Sequence, residues 1–171
     1  MNIYKNFLSK KDFKKIKSTM MGPYFPWYFF NGVNLTNDGF YQFSFLFLDE
    51  KGINCEPGFM DLIHPILSRL KYKKLRAVKA NLLPRTPKTI EHGMHTDQQA
   101  GTTCIFYINK CNGYTKFKNG KKIKSEENKL LKFNSHLEHT GSSCTDEIRR
   151  VVINFNYQWI YLIIFGSLVE C

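Results

Sequence analysis

The sequence contains few cysteines, and their spacing lacks the patterns that cross-link small folds. Its five cysteines form an odd set, and no pair shows the spacing of a Cys-x-x-Cys motif. These features argue against a disulfide framework and against a zinc ribbon. The composition therefore predicts a reducing environment, which we interpret as the cytoplasm of the producing or host cell.

Long uninterrupted apolar runs are also scarce. At the N-terminus, lysines surround single apolar residues, so we expect no signal peptide. The most apolar stretch, residues 159–165, is too short for a membrane span because polar residues interrupt the apolar content before it. We therefore expect no membrane partner, and we interpret residues 158–171 as an apolar tail whose role is open, with a membrane anchor as the alternative.

Acidic residues are few compared with basic ones. The chain of 171 residues has 25 Lys and Arg against 14 Asp and Glu, which gives a net charge of +11. This excess favours an acidic partner such as nucleic acid or an anionic co-substrate, with a lysine-rich solvated surface as the alternative. We find no internal repeat and no linker, so residues 1–157 are predicted to form a single domain.

Two stretches in the N-terminal third are predicted to be helices. Ser9 is a typical N-cap, and Asp12 follows it at the spacing of a capping box. The second helix begins at Pro57, a residue that favours the first helical position. Its apolar residues recur with helical spacing as far as Leu70, which predicts one buried face.

Short apolar runs separated by turn residues follow the helices. Strands are predicted at residues 40–48, 78–83, 102–109, 121–124, 128–133 and 149–157. Asn112-Gly113 and Asn119-Gly120 are typical of hairpin turns, and the aromatic run 23–30, with its two prolines, predicts an extended sheet edge. Together these elements predict a mainly β fold of the α+β class. We expect a double-stranded β-helix (jelly-roll) with two N-terminal helices packed on one sheet.

The tripeptide His95-Thr96-Asp97 is the strongest chemical signal in the chain. Side chains alternate along an extended segment, so His95 and Asp97 project to the same side. A second imidazole from a later strand would complete two histidines and one carboxylate, the ligand set of non-haem Fe(II) oxygenases. A chance tripeptide or a hydrogen-bonded turn is the alternative.

Three histidines compete to supply that second imidazole. His92 is so near His95 that the two would share one loop. His136 and His139 lie on opposite faces of one segment by the alternation of side chains. His139 precedes a turn and so lies at a strand end, where loops and active sites meet, and we favour it.

With these residues identified, the sequence resembles the 2-oxoglutarate- and Fe(II)-dependent oxygenases, in particular the prolyl 4-hydroxylase-like group. Residues 103–109 follow the His-x-Asp motif as in that group, and 113–117 stand at its Gly-rich hairpin. Residues 130–135, followed by His139, are similar to the strand before the distal ligand, and 149–157 to the strand with the co-substrate cation. The small single-domain members encoded by bacterial viruses look most alike, although the apolar tail departs from their pattern.

The resemblance implies a role for each of these residues. His95, Asp97 and His139 would bind Fe(II), and an arginine would bind the distal carboxylate of 2-oxoglutarate. Either Arg149 or Arg150 could do so; we favour Arg150 because alternation places it with polar residues, whereas Arg149 shares an apolar face.

Three further residues are candidates for the co-substrate pocket. Tyr107 matches a position that hydrogen-bonds the same carboxylate in the resembling enzymes, with a core tyrosine as the alternative. Asn154 shares the face of Arg150, and Asn81 lies just upstream of the metal motif, as does Arg85.

The resemblance implies a dioxygenase that uses 2-oxoglutarate and O2, hydroxylates a further substrate and releases succinate and carbon dioxide. A protein side chain such as proline and a nucleobase are the two candidate substrates. A catalytically silent basic jelly-roll binding module is the main alternative, and a cupin-type metalloenzyme without 2-oxoglutarate is another.

Overall fold

A computed structural model describes residues 1–35, 37–159, 161–164 and 167–170 of the chain. It has two α-helices, α1 (Lys10–Met20) and α2 (Pro57–Leu67). The hydroxyl of Ser9 accepts a hydrogen bond from the backbone N–H of Asp12 at 3.1 Å, which confirms the predicted N-cap. The second helix begins at Pro57 as predicted.

Thirteen strands account for nearly half of the remaining described chain. Their bounds are β1 (Asn2–Tyr4), β2 (Tyr28–Phe30), β3 (Gln42–Asp49), β4 (Gly52–Ile53), β5 (Lys74–Pro84), β6 (Thr102–Tyr107), β7 (Tyr114–Phe117), β8 (Lys122–Lys124), β9 (Lys129–Asn134), β10 (His139–Gly141), β11 (Arg149–Gln158), β12 (Tyr161–Ile164) and β13 (Ser167–Glu170). The mainly β fold with two N-terminal helices is therefore confirmed.

Within the described residues, all the strand pairs are antiparallel and form three sheets. The large sheet has the order β1-β9-β6-β11-β5-β3-β2, with β4 paired to β3. A small sheet has the order β10-β7-β8, and β12 pairs with β13. Because β11 lies between β5 and β6, its side chains reach the centre of both faces of the large sheet.

The two faces of β11 separate two hydrophobic clusters. Val151, Ile153 and Phe155 pack in the same cluster as buried residues of both helices. Val152, on the opposite face, packs with Phe117 of the small sheet. The helices therefore cover one face of the large sheet, and the small sheet covers the other, as in a jelly-roll. The alternation along this strand was predicted from its sequence.

The structure corrects three local predictions. Helix α2 ends at Leu67 rather than near Leu70, and β5 begins at Lys74, well before the predicted start. Asn112-Gly113 does not form a hairpin turn, because β6 and β7 on either side of it belong to different sheets. By contrast, Asn119-Gly120 joins the paired strands β7 and β8, and Gly120 has a φ of 85°, as that hairpin requires.

The aromatic run and the start of the predicted tail both contain a buried aromatic residue. The run 23–30 divides: Phe25 is buried, whereas Tyr28 and Phe29 of β2 are exposed at the sheet edge. Trp159 is buried, with its indole N–H donating to the hydroxyl of Thr102. The remainder of the predicted tail, from residue 160, falls partly on residues outside the described chain. No helix among the described residues is long and apolar enough to cross a membrane.

Candidate metal centre

His95 and His139 are joined through their backbones. The N–H of His95 donates to the carbonyl of His139 at 3.0 Å, and the reverse bond measures 2.9 Å. This isolated antiparallel bridge lies between the segment before β6 and the start of β10. It brings the two imidazoles to one place, with ring centroids 4.6 Å apart.

Each of the two imidazoles directs its Nε2 atom towards Asp97. The distance from His95 Nε2 to Asp97 Oδ1 is 3.7 Å, and that from His139 Nε2 to Oδ2 is 3.8 Å. The Nδ1 of His139 lies 2.9 Å from the carbonyl oxygen of Leu137. A carbonyl only accepts, so this bond places the proton on Nδ1 and leaves Nε2 free to bind a metal. Burial also lowers the pKa of His139, which favours the neutral, metal-binding form.

Asp97 is oriented by two polar side chains of the large sheet. The hydroxyl of Thr103 donates to Asp97 Oδ2 at 2.5 Å. With its amide nitrogen turned inward, Asn156 donates to the same oxygen at 3.2 Å and to the Thr103 hydroxyl at 3.0 Å. These bonds hold the carboxylate in place, as partners of metal ligands commonly do.

The other two candidate histidines do not take part in this cluster. His136 is exposed. His92 packs edge-on against Phe40, and both of its ring nitrogens are buried without a hydrogen-bond partner in the described chain. The predicted choice of His139 is therefore supported: one ligand atom each from His95, Asp97 and His139 lies within 4.8 Å of the others.

A cavity of about 280 Å³ connects this cluster with Arg150. Its wall contains all three clustered residues and residues from β3, β5, β6, β7 and β11. Alternation along β11 directs Arg150, Val152, Asn154 and Asn156 into it. The face that the sequence indicated as polar therefore lines the cavity.

Arg150 is the buried cation of this cavity. Only 3% of the residue is exposed, yet no carboxylate pairs with it in the part of the chain that the structure describes. Its Nε donates to the Ser125 hydroxyl at 2.8 Å, and its Nη2 donates to the Thr115 hydroxyl at 3.3 Å. Burial lowers the pKa of Arg150, but a guanidinium remains charged at neutral pH. A buried charge without a partner is costly, so this position favours an anionic ligand.

Tyr107 contacts Arg150 without lining the cavity. The guanidinium carbon lies 5.7 Å from the centre of the Tyr107 ring. The Tyr107 hydroxyl donates to Thr115 at 2.9 Å, and burial raises the pKa of Tyr107 to about 12. Tyr107 therefore helps to position Thr115, and it is Thr115 that borders the cavity.

Arg149, the alternative cation, lies outside the cavity. Its guanidinium donates to the carbonyl oxygen of Met21 at the end of α1. The structure thus places Arg150 at the cavity and Arg149 away from it, and a co-substrate role for Arg149 is not supported by this geometry. Arg85, the upstream candidate, also does not border the cavity.

Asn81 and Asn154 do border the cavity, as expected. Their amide oxygens are buried and have no hydrogen-bond partner within the described residues. Asn81 is opposite Val152, and Asn154 is opposite Lys79, in the pairing of β5 with β11. Both amides are therefore available to a bound molecule.

Sequence reasoning missed four residues of this site: Lys79, Thr103, Thr115 and Ser125. Lys79 borders the cavity, and its ammonium lies 5.0 Å from the centre of the Phe30 ring. Burial lowers its pKa. Lys79 could have been predicted, because alternation along β5 places it on the same face as Asn81. Thr115 and Ser125 contact Arg150 from distant parts of the chain, and no local pattern reveals them.

The side chains present fit Fe(II) and an anionic co-substrate. Two imidazole nitrogens and one carboxylate oxygen form the facial triad of non-haem Fe(II) sites, which leaves positions open for other ligands. The cavity beside the triad contains a buried guanidinium that has no counter-charge among the described residues, which suits a carboxylate.

The fold is shared with known oxygenases. A prolyl hydroxylase from Trichoplax adhaerens, solved in complex with a hypoxia-inducible-factor oxygen-degradation-domain peptide, matches with a TM-score of 0.62 and 18% identity, over 92% of this chain and 82% of that one. A Pseudomonas putida prolyl-4-hydroxylase matches with a TM-score of 0.57 and 10% identity, over 92% and 91%.

A third solved structure widens the range of reactions on this fold. The non-haem alpha-ketoglutarate-dependent epimerase SnoN from nogalamycin biosynthesis matches with a TM-score of 0.64 and 8% identity, over 91% of this chain and 75% of that one. No protein-family model matches the sequence, and no curated protein matches it. The chain therefore has the double-stranded β-helix fold of the 2-oxoglutarate and Fe(II) oxygenases together with their His-x-Asp and distal-His pattern.

Proposed function

We propose that this protein is an Fe(II)- and 2-oxoglutarate-dependent dioxygenase that hydroxylates a further substrate and releases succinate and carbon dioxide. One observation carries the proposal: a single cavity joins the three clustered ligands to the buried, unpaired Arg150. A metal site alone would not require that cation, and an anion site alone would not require the triad.

In this proposal the residues of the cavity divide the binding of iron and co-substrate between them. His95, Asp97 and His139 would hold Fe(II), and Arg150 would hold the distal carboxylate of 2-oxoglutarate with help from Thr115. A guanidinium suits that task because its planar donors match the two oxygens of a carboxylate. Iron, 2-oxoglutarate and O2 together supply the oxidising power for the reaction.

The protein itself contributes orientation and a site of limited water. Thr103 and Asn156 fix the carboxylate of Asp97, and the hydrogen bond to Leu137 fixes the ring of His139. Apolar side chains form part of the cavity wall between the polar groups, among them Leu83, Ile105 and Val152. Such a wall reduces the number of water molecules near the reacting groups.

A protein side chain such as proline and a nucleobase are the proposed substrate classes. The Trichoplax enzyme, described as a prolyl hydroxylase with a bound peptide, supports the first. Strand β2 supports it too, because within the described chain it pairs only with β3 and leaves one edge for an extended peptide. The net charge of +11 supports the second.

A catalytically silent binding module is less consistent with the site. Such a module would not need the hydrogen bonds that orient Asp97 and His139 towards one point. The epimerase shares the fold but is named for a different reaction. The reaction of this protein must therefore be identified from its product rather than from its fold.

The test is the formation of succinate from 2-oxoglutarate under air with added Fe(II). A panel of proline-containing peptides and single-stranded oligonucleotides would be supplied in separate reactions, and mass spectrometry would show which of them gains one oxygen atom. Succinate formation that requires Fe(II) and increases with one substrate class supports the proposal. The proposal is contradicted if protein that circular dichroism shows to be folded forms no succinate with Fe(II), 2-oxoglutarate and O2.

A further inference from the structure

Two buried cysteines lie side by side near the proposed co-substrate site. The sulfur atoms of Cys111 and Cys144 lie within 4.8 Å of each other, and the thiol of Cys144 donates to the carbonyl oxygen of Glu147 at 3.4 Å. Cys111 is 5% exposed and Cys144 is 0% exposed. Neither residue belongs to the iron site or lines its cavity.

The approach of the two thiols is built into the fold. Cys111 lies between β6 and β7, and Cys144 lies between β10 and β11. Asn112 joins these two connections by hydrogen bonds. Its backbone N–H donates to the carboxylate of Asp146 at 2.9 Å, and its side-chain amide donates to the hydroxyl of Thr145 at 2.6 Å. The sulfurs are thus held near each other by bonds that do not involve them.

Asp146 is already engaged in these bonds. Both of its carboxylate oxygens accept from the N–H of Asn112, at 2.9 and 3.0 Å. The cluster therefore offers a pair of thiols rather than three free ligands for a metal. To form a disulfide, the two sulfurs would approach from this range to about 2.05 Å.

Solvent reaches one of the two thiols. A surface pocket is lined by Cys111 together with Lys5, Lys110, Lys124, Ser125 and Glu126. The neighbouring thiol of Cys144 lowers the pKa of Cys111, and the neighbouring Cys111 raises the pKa of Cys144. Cys111 is thus the more thiolate-like of the pair and the one a small oxidant can meet.

We propose that Cys111 and Cys144 form a redox-modification site that peroxide converts to a reversible disulfide. The Cys111 thiolate attacks one oxygen of hydrogen peroxide, the O–O bond breaks, and the released hydroxide takes up a proton to become water. Cys144 then attacks the sulfenic sulfur and displaces its oxygen as a second water. Two thiols lose two electrons and two protons, and one peroxide is reduced to two waters.

The disulfide would alter the contacts that position Arg150. Ser125 connects the two groups, because its hydroxyl accepts from Arg150 at 2.8 Å and its backbone carbonyl accepts from the N–H of Cys111 at 3.3 Å. Gly113 separates them so narrowly that a Cβ there would lie 2.6 Å from Arg150 Cδ and 3.3 Å from Cys111 Sγ. If Cys111 shifts towards Cys144 when the disulfide forms, it therefore displaces Ser125 and weakens the hydrogen bond from Arg150 to the Ser125 hydroxyl. This consequence rests on the proposed function; the disulfide does not.

The experiment first maps the disulfide. The whole protein is treated with hydrogen peroxide, quenched with catalase, alkylated in urea and digested without reductant for mass spectrometry. We expect a peptide in which Cys111 is linked to Cys144 and which separates after treatment with a phosphine reductant. Cys144→Ser should lose the link and leave Cys111 as a sulfenic acid that dimedone traps, whereas Cys55→Ser, a matched control, should retain the link.

The proposal is overturned if Cys111 and Cys144 are alkylated and unlinked after a peroxide treatment that oxidises Cys55. A link between other cysteines overturns it as well. Since the map is made on the unaltered protein, it decides the question even if a variant does not fold.

The second measurement tests the coupling to Arg150. We expect the apparent Kd for 2-oxoglutarate, measured with Fe(II) under anaerobic conditions, to rise about tenfold on oxidation and to recover on reduction, the effect of roughly one lost hydrogen bond to a charged group. An unchanged Kd in fully linked protein overturns the coupling. If the reduced protein does not bind 2-oxoglutarate at all, the proposed function fails, and the peptide map still decides the disulfide.

Discussion

His95 and His139 exchange both of their backbone hydrogen bonds, at 3.0 and 2.9 Å. The positions of the two imidazoles are therefore set by main-chain pairing between segments far apart in the sequence. Because β10 begins at His139 and pairs with β7, the small sheet helps to place this ligand. The backbone pairing of the fold therefore brings the two histidine ligands together.

Thr103 should control how well the site binds iron. Replacing it with valine preserves the shape but removes the hydroxyl that donates to Asp97 at 2.5 Å. We expect Thr103→Val to weaken Fe(II) binding by about 10- to 100-fold, as loss of the partner of a metal ligand usually does. Isothermal titration with Fe(II) under anaerobic conditions measures the effect. Thr96→Val, at an exposed position within the motif, is the control and should bind normally.

Arg150 and Arg149 form a matched pair on adjacent positions of β11. Arg150→Lys should raise the Kd for 2-oxoglutarate by about tenfold or more, because an ammonium cannot provide the two parallel bonds of a guanidinium. Arg149→Lys should change this Kd little, since Arg149 donates to Met21 outside the cavity. If Arg149→Lys proves the damaging change, the assignment of the cavity face of β11 is wrong.

Gly113 should tolerate no side chain. A Cβ there would lie 2.6 Å from Arg150 Cδ and 2.9 Å from the backbone oxygen of Ser143. We expect Gly113→Ala to lower the free energy of unfolding by about 1–3 kcal/mol through overpacking. Gly58→Ala is the control: its Cβ meets nothing within 4 Å and its helical position favours alanine, so stability should stay equal or rise. Urea denaturation compares the two, and equal effects would contradict the crowding at Gly113.

His92 should make stability depend on pH. Burial lowers the pKa of His92 in the folded protein from the ordinary value of 6.5, and its ring nitrogens have no partner among the described residues. Between pH 6.5 and the lower pKa of the folded protein, His92 of the unfolded chain binds a proton that His92 of the folded chain does not bind. The free energy of unfolding therefore falls as the pH drops through about 6.5 and stops falling below the folded pKa.

Replacing His92 with phenylalanine should remove this pH-dependent loss. In metal-free protein we expect His92→Phe to raise the free energy of unfolding relative to the unaltered chain, by more at about pH 5.5 than at about pH 8. Urea denaturation at the two pH values measures the difference. A gain of equal size at both would mean that His92 is not held neutral in the folded protein.

Local patterns in the sequence were enough to predict much of the fold. The alternation of β11 separated the helix-facing Val151 and Ile153 from the cavity-facing Arg150 and Asn154, and the structure confirms that division. Ser9 and Pro57 marked the helix starts correctly. These signals are local, because a cap or a strand period is a property of neighbouring residues.

Other features could not be predicted because they depend on contacts between distant segments. Asn112-Gly113 has the chemistry of a hairpin turn, but the pairing of β6 within the large sheet prevents one, and Gly113 is instead needed for the close approach of Arg150. Ser125 and Thr115 support Arg150 from other strands and connections, at positions that no spacing reveals.

The most direct test of the proposed iron and 2-oxoglutarate site is an anaerobic titration with Fe(II), in the presence and absence of 2-oxoglutarate, followed by visible absorption. We expect a charge-transfer band that requires both components, is lost in His95→Ala and persists in the control His136→Ala, whose side chain is exposed. Circular dichroism should show the same fold in all three proteins. No band in the unaltered protein, or a band of equal strength in His95→Ala, would contradict the assignment of the iron and 2-oxoglutarate site.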